Sequence, residues 1–382
     1  MRMGPLTGIK IVEFAGIGPA PMAAMLLADM GATVLRLDRT EDAGLGIPKP
    51  HRFDLIMRGR QTLQVDLKQP AGIKLARRLL KQADALIEGF RPGTMERLGV
   101  GPDVVLADNP RLVYGRMTGF GQSGPLAKAA GHDLNYIALT GALHAIGRAG
   151  AKPTPPLNLL GDFAGGSLYL AFGLVCAILE ARASGKGQVV DTAIVDCTTH
   201  LMAMFYGLYQ AGMYSTVRGE NLLDSGSPIY DVYECADGEY ISVAPIEAKF
   251  RRLLFEKLGI DPDLDDVALR KVLEDTFKSR TRAAWCTLLE GTDACFAPVL
   301  SIAEAPKHAH NRERGIFIEV DGVTQPAPAP RFSRTQTGKP TPPESPGTSG
   351  RTALRDWGVA DTEIDELAQG GVVRLPDAGA SV

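Results

Sequence analysis

Aromatic side chains are scarce in this sequence of 382 residues, and there is no excess of positive charge. Phe, Tyr and Trp together make up 6% of the chain, and the formal net charge is -3. A protein that binds nucleic acid needs a basic surface to neutralise phosphates, and the sequence also has no zinc-type cysteine spacing and no RNA-binding signature. The composition therefore predicts no nucleic-acid partner.

The sequence has few cysteines and no long apolar run. The five cysteines are scattered and odd in number, which argues against a disulfide framework and indicates reduced thiols in the cytoplasm. No Cys or His spacing is typical of a metal site, so no metal is expected. The longest apolar stretch, around Leu168 to Leu179, is too short to span a bilayer. We therefore expect a buried helix there and no membrane partner.

Strand-like and helix-like segments alternate through the first half of the chain. Hydrophobic residues make up 45% of the sequence, enough for a substantial core. This alternation predicts an α/β fold with a large, Rossmann-like parallel sheet covered by helices. The predicted strands are Ile9–Phe14, Thr33–Leu37, Ala85–Ile87, Leu112–Tyr114 and Val189–Ala193, and the predicted helices are Met22–Met30, Ala71–Gln82, Leu134–Ile146 and Ala164–Ala183.

The pattern changes from about Asn221 onward. Two strand-like runs, Tyr230–Glu234 and Tyr240–Val243, flank an Asp-Gly turn and predict a hairpin. Helical patterns at Ala248–Lys257 and Ala283–Glu290 follow, so we predict a smaller α+β domain over residues 220–318. The Pro-, Ser- and Thr-rich stretch 325–350 is predicted to be extended, with a last helix over 362–368.

A glycine-containing turn follows the first predicted strand. Gly16 and Gly18 there, with Asp38 ending the second strand, partly match a dinucleotide-binding fingerprint. However, Pro21 occupies the third glycine position and Arg39 follows the acid. These departures favour a tight strand-to-helix turn over a nicotinamide site, and no redox cofactor is expected.

Four basic residues are candidates for a shared position at strand ends: Arg39 directly after the second predicted strand, Lys68 in Val-Asp-Leu-Lys, and Arg91 with Arg97 in the segment 91–97. Loops at the carboxyl ends of parallel strands form the ligand crevice of such sheets. Cations that converge there are suited to a diphosphate and a ribose phosphate. Each one alone is typical of an exposed surface, and only their shared position favours a phosphorylated ligand.

Two candidate acid–base residues precede predicted helices. His132 lies in Gly-His-Asp, and Asp162 lies in Gly-Asp-Phe. By position alone both are typical of helix caps. An acid–base role needs a further reason.

That reason is a resemblance that extends over nearly the whole chain. The sequence resembles the α-methylacyl-CoA racemases of the family III CoA-transferase superfamily (CaiB/BaiF-like). The matching blocks are Ala15–Pro19, Arg116–Pro125, Gly131–Tyr136, Gly161–Gly166, Gly185–Asp191, Ile246–Glu247 and Gly291–Cys295. The resemblance implies that His132 and Asp162 are the two catalytic bases and that Glu247 orients the histidine.

The resemblance also implies an interlocked homodimer whose large domain is built from both chain ends. Accordingly we predict a large CoA-binding domain over 1–196, a linker helix over 197–219, the small domain over 220–318, and a return to the large domain with a tail over 319–382. Glu247 would come from the partner chain. The implied substrate is an acyl-CoA, so CoA is part of the substrate and no separate cofactor is expected.

Racemisation beside a thioester carbonyl removes a proton on one face of the carbon and returns one on the other, which requires two opposed acid–base groups. We expect backbone N–H groups at the start of the Asp162 helix to stabilise the enolate, and burial to raise the pKa of Asp162.

Two alternatives stay open, CoA transfer with Asp162 as nucleophile and a non-catalytic acyl-CoA-binding protein. His132 favours the racemase, since related transferases carry Tyr at that position. Departures from the racemases at 221–226 and at Ala244–Pro245 bear on which acyl group is bound.

Overall fold

A computed structural model of the chain describes residues 3–41 and 44–376, and these divide into two compact units. The larger unit uses the chain as far as Thr140, then Leu157–Leu201, and then the chain from Phe317 onward. The smaller unit takes Gly141–Pro156 and Met202–Ile316. The larger unit is therefore assembled from stretches that are far apart in the sequence.

A seven-stranded sheet forms the centre of the larger unit, in the order β12-β3-β2-β1-β4-β5-β6. All neighbouring strands pair in parallel except β12, which pairs antiparallel with β3 at the edge. The predicted α/β class with a parallel sheet is confirmed. The strands of the chain are β1 Lys10–Phe14, β2 Thr33–Asp38, β3 Gln61–Val65, β4 Ala85–Glu88, β5 Val113–Thr118, β6 Val189–Ala193, β7 Asp231–Glu234, β8 Tyr240–Val243, β9 Phe296–Pro298, β10 Phe317–Val320, β11 Val323–Pro326 and β12 Val373–Arg374.

Helices cover both faces of this sheet. The α-helices are α1 Pro19–Asp29, α2 Pro70–Leu80, α3 Thr94–Arg97, α4 Pro102–Asp108, α5 Asp133–Ala138, α6 Ala142–Ala145, α7 Tyr169–Ser184, α8 Ile194–Leu201, α9 Ala203–Gln210, α10 Ala248–Leu258, α11 Asp266–Lys278, α12 Arg282–Leu289, α13 Ala309–Glu313, α14 Gly350–Asp356 and α15 Asp361–Gln369. A π-helical segment, Leu159–Leu168, leads directly into α7. Short 3-10 turns lie at His51–Phe53, Leu55–Met57 and Ala305–Lys307.

Alternate strand residues face two separate cores, as the period of a β-strand requires. Val12 of β1 packs in a core with side chains of α2, α14 and α15, whereas its neighbour Ile11 packs on the other face with α1 and α7. Burial on both faces is typical of a parallel sheet and accounts for its nearly continuous apolar strands.

The smaller unit has its own core around a three-stranded antiparallel sheet, β7-β8-β9. The predicted hairpin is present, and its Tyr233 and Ile241 pack with Leu254 of α10, Phe277 of α11 and Trp285 of α12. Helix α11 has no counterpart among the predicted helices.

The single helix predicted over Leu134–Ile146 is wrong. The structure has α5 and α6 instead, and Gly141 between them has a left-handed φ of 77° that turns the chain. Residues 141–156, predicted in the large domain, belong to the smaller unit. Arg148 forms an ion pair with Asp231, and Arg218 donates to the carbonyl of His144 at 2.7 Å, which holds this stretch in the smaller unit.

The apolar stretch around Leu168–Leu179 is longer than predicted, because the π-helical segment and α7 are continuous. The resulting run, Leu159–Ser184, has 26 residues and by length and composition alone could cross a membrane. A helix in the core of a protein can have the same length and composition, and α7 packs Leu170, Leu174 and Ile178 against the sheet.

Arg58 holds the chain after Phe317 to the rest of the larger unit, and it also forms a buried ion pair. Arg58 binds Asp29 at 2.6 Å and also donates to the side chain of Gln325 and to the carbonyl of Pro326 in β11. The predicted extended segment contains no helix or strand from residue 327 to 349. Residues 377–382 of the predicted tail lie outside the described part of the chain.

Candidate active site

His132 and Asp133 lie at the start of α5 in the larger unit. His132 is the exposed N-cap residue, and its backbone N–H donates to Asn135 Oδ1 at 3.1 Å. Asp133, one residue further on, is buried at 7% exposure and points the other way, into the protein. The Gly-His-Asp motif therefore presents its histidine outward and its carboxylate inward.

Asp162 lies in the first turn of the π-helical segment and is not the N-cap residue that its position suggested. Asn158 is the N-cap residue, and its side chain donates to Asp162 Oδ2 at 3.3 Å. A Cβ added at Gly18 would lie 3.5 Å from the same oxygen, so the Gly16–Pro21 turn packs directly against this carboxyl group. π-helical turns are rare and occur mostly at functional sites.

Asp133 connects the two motifs. Its Oδ2 accepts a hydrogen bond of 2.6 Å from the backbone N–H of Asp162. The N–H of Asp162 is therefore already bound, and the expectation that N–H groups at the start of this helix stabilise an enolate stays a prediction for the remaining ones. No signal in the sequence pointed to this use of Asp133.

Burial raises the pKa of Asp162 to about 6, and the charge of Asp133 acts in the same direction. The hydrogen bond from Asn158 and the proximity of His132 lower it by less. The structure thus brings His132 and Asp162 within electrostatic reach of each other. A carboxyl group with this pKa can both accept and donate a proton near neutral pH.

A cavity of about 380 Å³ opens at the carboxyl ends of β4 and β5. Phe90 and Arg91 line one side of it, and His132 and Tyr136 line the other. Tyr136 packs edge-on against Phe120, and a Cβ at Gly119 would overlap the Tyr136 ring. Residues of the Gly-His-Asp and Arg91 loops therefore line one cavity.

The four predicted CoA-binding cations lie at different distances from this cavity. Arg91 lines it, and the Arg39 guanidinium lies 6.0 Å from the ring centre of Phe90 in its wall. Arg97 lines an adjacent depression together with Arg91. Lys68 is exposed, with its Nζ 3.4 Å from a Glu41 oxygen.

Glu247, the third predicted catalytic residue, belongs to the smaller unit and is the N-cap residue of α10. It is exposed in the single chain. The prediction that it acts from a partner chain stays a prediction.

A buried ion network fixes the glycine turn beside Asp162. Glu13 of β1 binds Arg36 at 2.7 Å and Arg60 at 2.6 Å, and these arginines donate to the carbonyls of Gly16 and Pro21 respectively. Arg36 also binds Asp38, the acid of the partial dinucleotide fingerprint, at 2.9 Å. Asp38 therefore has an internal partner, consistent with the turn being structural.

A second buried ion cluster supports the Arg91 loop. Glu88 accepts the N–H of Phe90 at 2.7 Å and binds Arg116 at 2.9 Å, and Arg116 also binds Glu96. Ionisable groups this buried are stable only when paired and hydrogen-bonded. The cluster holds the cavity wall in place and was not predicted. Among the described residues, no group of three His, Cys, Asp or Glu side chains could hold a metal ion.

The fold and this arrangement of motifs define a class of protein. Residues 6–349 match the family model of CoA-transferase family III, and the chain belongs to that family. Its fold is similar to a solved CAIB/BAIF family protein from Brucella suis, with a TM-score of 0.81 and 25% identity over 93% of this chain and 100% of that one.

Within that family the chain is similar to two named enzymes. It is 42% identical to the alpha-methylacyl-CoA racemase of Mus musculus, over 96% of this chain and 97% of the relative. It is 40% identical to the alpha-methylacyl-CoA racemase of Homo sapiens, over 99% and 100%. The resemblance stated from the sequence motifs is confirmed.

Proposed function

We propose that this protein is an α-methylacyl-CoA racemase that interconverts the (2R) and (2S) epimers of 2-methylacyl-CoA thioesters by proton transfer through an enolate. The similarity to the mouse and human racemases supports this reaction. The observation that carries the proposal is the environment of Asp162, a buried carboxyl group within electrostatic reach of His132 whose pKa is raised to about 6.

In this mechanism one group removes the C2 proton while the other delivers a proton to the opposite face. Neutral His132 removes the proton from one epimer while protonated Asp162 donates, and ionised Asp162 with protonated His132 serves the other epimer. Each turnover exchanges the two protonation states. A pKa of about 6 keeps both forms of Asp162 populated near neutral pH.

Further parts of the proposal rest on the family resemblance. Arg39, Lys68, Arg91 and Arg97 bind the phosphates of CoA, and Glu247 of the partner subunit orients the imidazole of His132. The protein is a cytoplasmic homodimer that uses no separate cofactor and no metal. The cavity position of Arg91 supports the first of these points.

Site variants test the proposal through exchange of the C2 proton for solvent deuterium. We expect His132→Ala and Asp162→Asn each to slow exchange on the order of a thousandfold, because each removes one acid–base group. His310→Ala, which alters an exposed histidine of α13, is the control and should exchange as the unaltered protein does.

A CoA-transferase would behave differently in the same variants. If Asp162 were an acyl-accepting nucleophile, the unaltered protein would move CoA to an added carboxylic acid. His132→Ala would then retain that transfer. Acceptor-dependent transfer without deuterium at C2 would replace the racemase proposal.

A further inference from the structure

The side chain of Asp133 is a buried carboxylate for which the mechanism above has no use. Its Oδ2 accepts the N–H of Asp162 at 2.6 Å, and its Oδ1 is buried without a hydrogen-bond partner among the described residues. Burying a carboxylate is costly, and an unpaired oxygen adds to that cost. A helix this short does not need such a group, since His132 already occupies its N-cap position.

The backbone of the π-helical segment is shaped to meet this carboxylate. A Cβ added at Gly161 would lie 2.4 Å from Asp133 Oδ2, so only glycine allows this close approach. The N–H of Gly161 acts on the same carboxylate as the N–H of Asp162 does. Two successive N–H groups that precede the Asp162 side chain are thereby held by one residue.

That residue is also the covalent neighbour of His132. The chain of contacts from His132 to Asp162 is thus one peptide bond, one short side chain and one hydrogen bond. Small rotations at Asp133 would change the separation of the two acid–base groups directly. A catalytic group displaced by about 1 Å can lose on the order of a hundredfold in rate.

We propose that Asp133 is a positioning residue: by accepting the N–H of Asp162 it holds Asp162 opposite His132, and its negative charge acts on the Asp162 carboxyl in addition to burial. The proposal deepens the proposed function and rests on it for its catalytic meaning. The effect of Asp133 on the Asp162 carboxyl group can be measured whether or not the protein is a racemase.

Among the groups that act on Asp162, only the charge of Asp133 adds to burial in raising its pKa. His132 on α5 and the amide of Asn158 both act to lower the pKa of Asp162, and only burial and Asp133 raise it. Burial and, to a smaller extent, the charge of Asp162 raise the pKa of the Tyr136 phenol on the same helix as His132. The turn before α1 presents Gly18 and Pro19 to the π-helical segment, and α8 presents the uncharged Ile194 and Thr198.

The test compares the pKa of Asp162 in the unaltered protein and in Asp133→Asn. Asparagine keeps an oxygen that can accept the N–H of Asp162 but removes the charge. We expect the pKa of Asp162 to fall, measured by carbon-13 NMR of the carboxyl group and assigned with Asp162→Asn. Asp196→Asn, on neighbouring α8, removes a similar charge that does not act on Asp162 and should leave its pKa unchanged.

The rate of C2 deuterium exchange provides the second readout. In Asp133→Asn the acidic limb of the kcat/KM profile should move to lower pH together with the pKa, a change that a merely structural role would not produce. A folded Asp133→Asn protein with an unchanged Asp162 pKa would overturn the proposal. If the unaltered protein shows no exchange but the pKa still falls, the proposed function fails and the link between the carboxylates stands.

Asp133→Glu decides the question if Asp133→Asn does not fold. Glutamate keeps the charge but shifts the carboxylate by one methylene, so the pKa of Asp162 should stay raised while exchange slows at least tenfold. Exchange at the unaltered rate in this variant would show that Asp133 does not position Asp162.

Discussion

Burial and the neighbouring negative charge of Asp133 both raise the pKa of Asp162. A carboxylate near the start of a helix is usually stabilised in its ionised form by the helix dipole and free N–H groups. Here the N–H of Asp162 donates to Asp133 instead, and the pKa of Asp162 is raised to about 6. This resolves the conflict between a helix-start position and the need for a protonatable acid.

The first prediction concerns the pH dependence of catalysis. kcat/KM for C2 proton exchange should fall on the acidic side with an apparent pKa near 6, because protonation of Asp162 together with His132 leaves no base. It should fall again at higher pH once neither group carries a proton. A rate profile that stays flat from about pH 5 to 7 would contradict the raised pKa of Asp162.

The sequence could mark the two residues proposed as acid–base groups, but it could not predict their surroundings. The Gly-His-Asp and Gly-Asp-Phe motifs marked His132 and Asp162 only through family resemblance, since position alone favoured helix caps. Asp133 acts on Asp162 across a contact between distant stretches of chain. Local sequence patterns carry no information on such a contact.

Among the elements, the π-helical segment contributes most to the site. Its glycines lie where neighbouring groups come too close for a side chain: Gly161 meets Asp133, Gly165 meets Thr198, and Gly166 meets Pro19. The apolar character of this stretch predicted a helix, but the start was placed too late, at Ala164. Glycine at these positions lowers helix propensity, and tertiary packing outweighs it.

Gly161→Ala is predicted to impair catalysis more than folding. The added methyl group would lie 2.4 Å from Asp133 Oδ2 and 2.8 Å from Ile137, which forces the π-helical segment away from α5. We expect kcat/KM to fall at least tenfold and the free energy of unfolding to fall by about 1–3 kcal/mol. Gly207→Ala in α9, where an added Cβ meets nothing within 4 Å, is the control. Equal activity in the two variants would show that this close approach is unimportant.

Strands with continuous apolar residues were predictable, but a strand with alternating polar residues and a very short strand were not. β1 and β2 have β-branched runs that indicate buried parallel strands. β3 reads Gln-Thr-Leu-Gln-Val and has no counterpart among the predicted strands, because its polar residues obscure the pattern. The two-residue β12 is too short to give any periodic signal.

On the scale of the whole molecule, the larger unit depends on contacts between both ends of the chain. Arg58 joins Asp29 at the end of α1 to Gln325 and Pro326 in β11. Both members of the ion pair are almost fully buried. Loss of one member leaves the other as an uncompensated buried charge.

Arg58→Met should therefore lower the free energy of unfolding by about 3–5 kcal/mol in urea titrations. Arg78→Met is the matched control, because Arg78 pairs with Glu363 at a largely exposed site and should lose less than about 1 kcal/mol. Similar losses in both variants would mean that the Arg58 contact does not secure the returning chain.

The proposed use of Glu247 from a partner subunit can be tested by complementation. His132→Ala and Glu247→Ala homodimers, each of low activity, would be mixed under conditions that allow subunits to exchange. Random reassociation places one intact site in each mixed dimer, so roughly a quarter of full activity should return. If Glu247 acted on His132 of its own chain, every site would lack one group and no activity would return.

Incubation of a single 2-methylacyl-CoA epimer in D2O, without any acceptor acid, tests the racemase proposal most directly. We expect the opposite epimer to accumulate with deuterium at C2 and an intact thioester, because one group removes the C2 proton and the other delivers a deuteron from solvent. An unchanged epimer that retains its C2 hydrogen under these conditions would contradict the proposal.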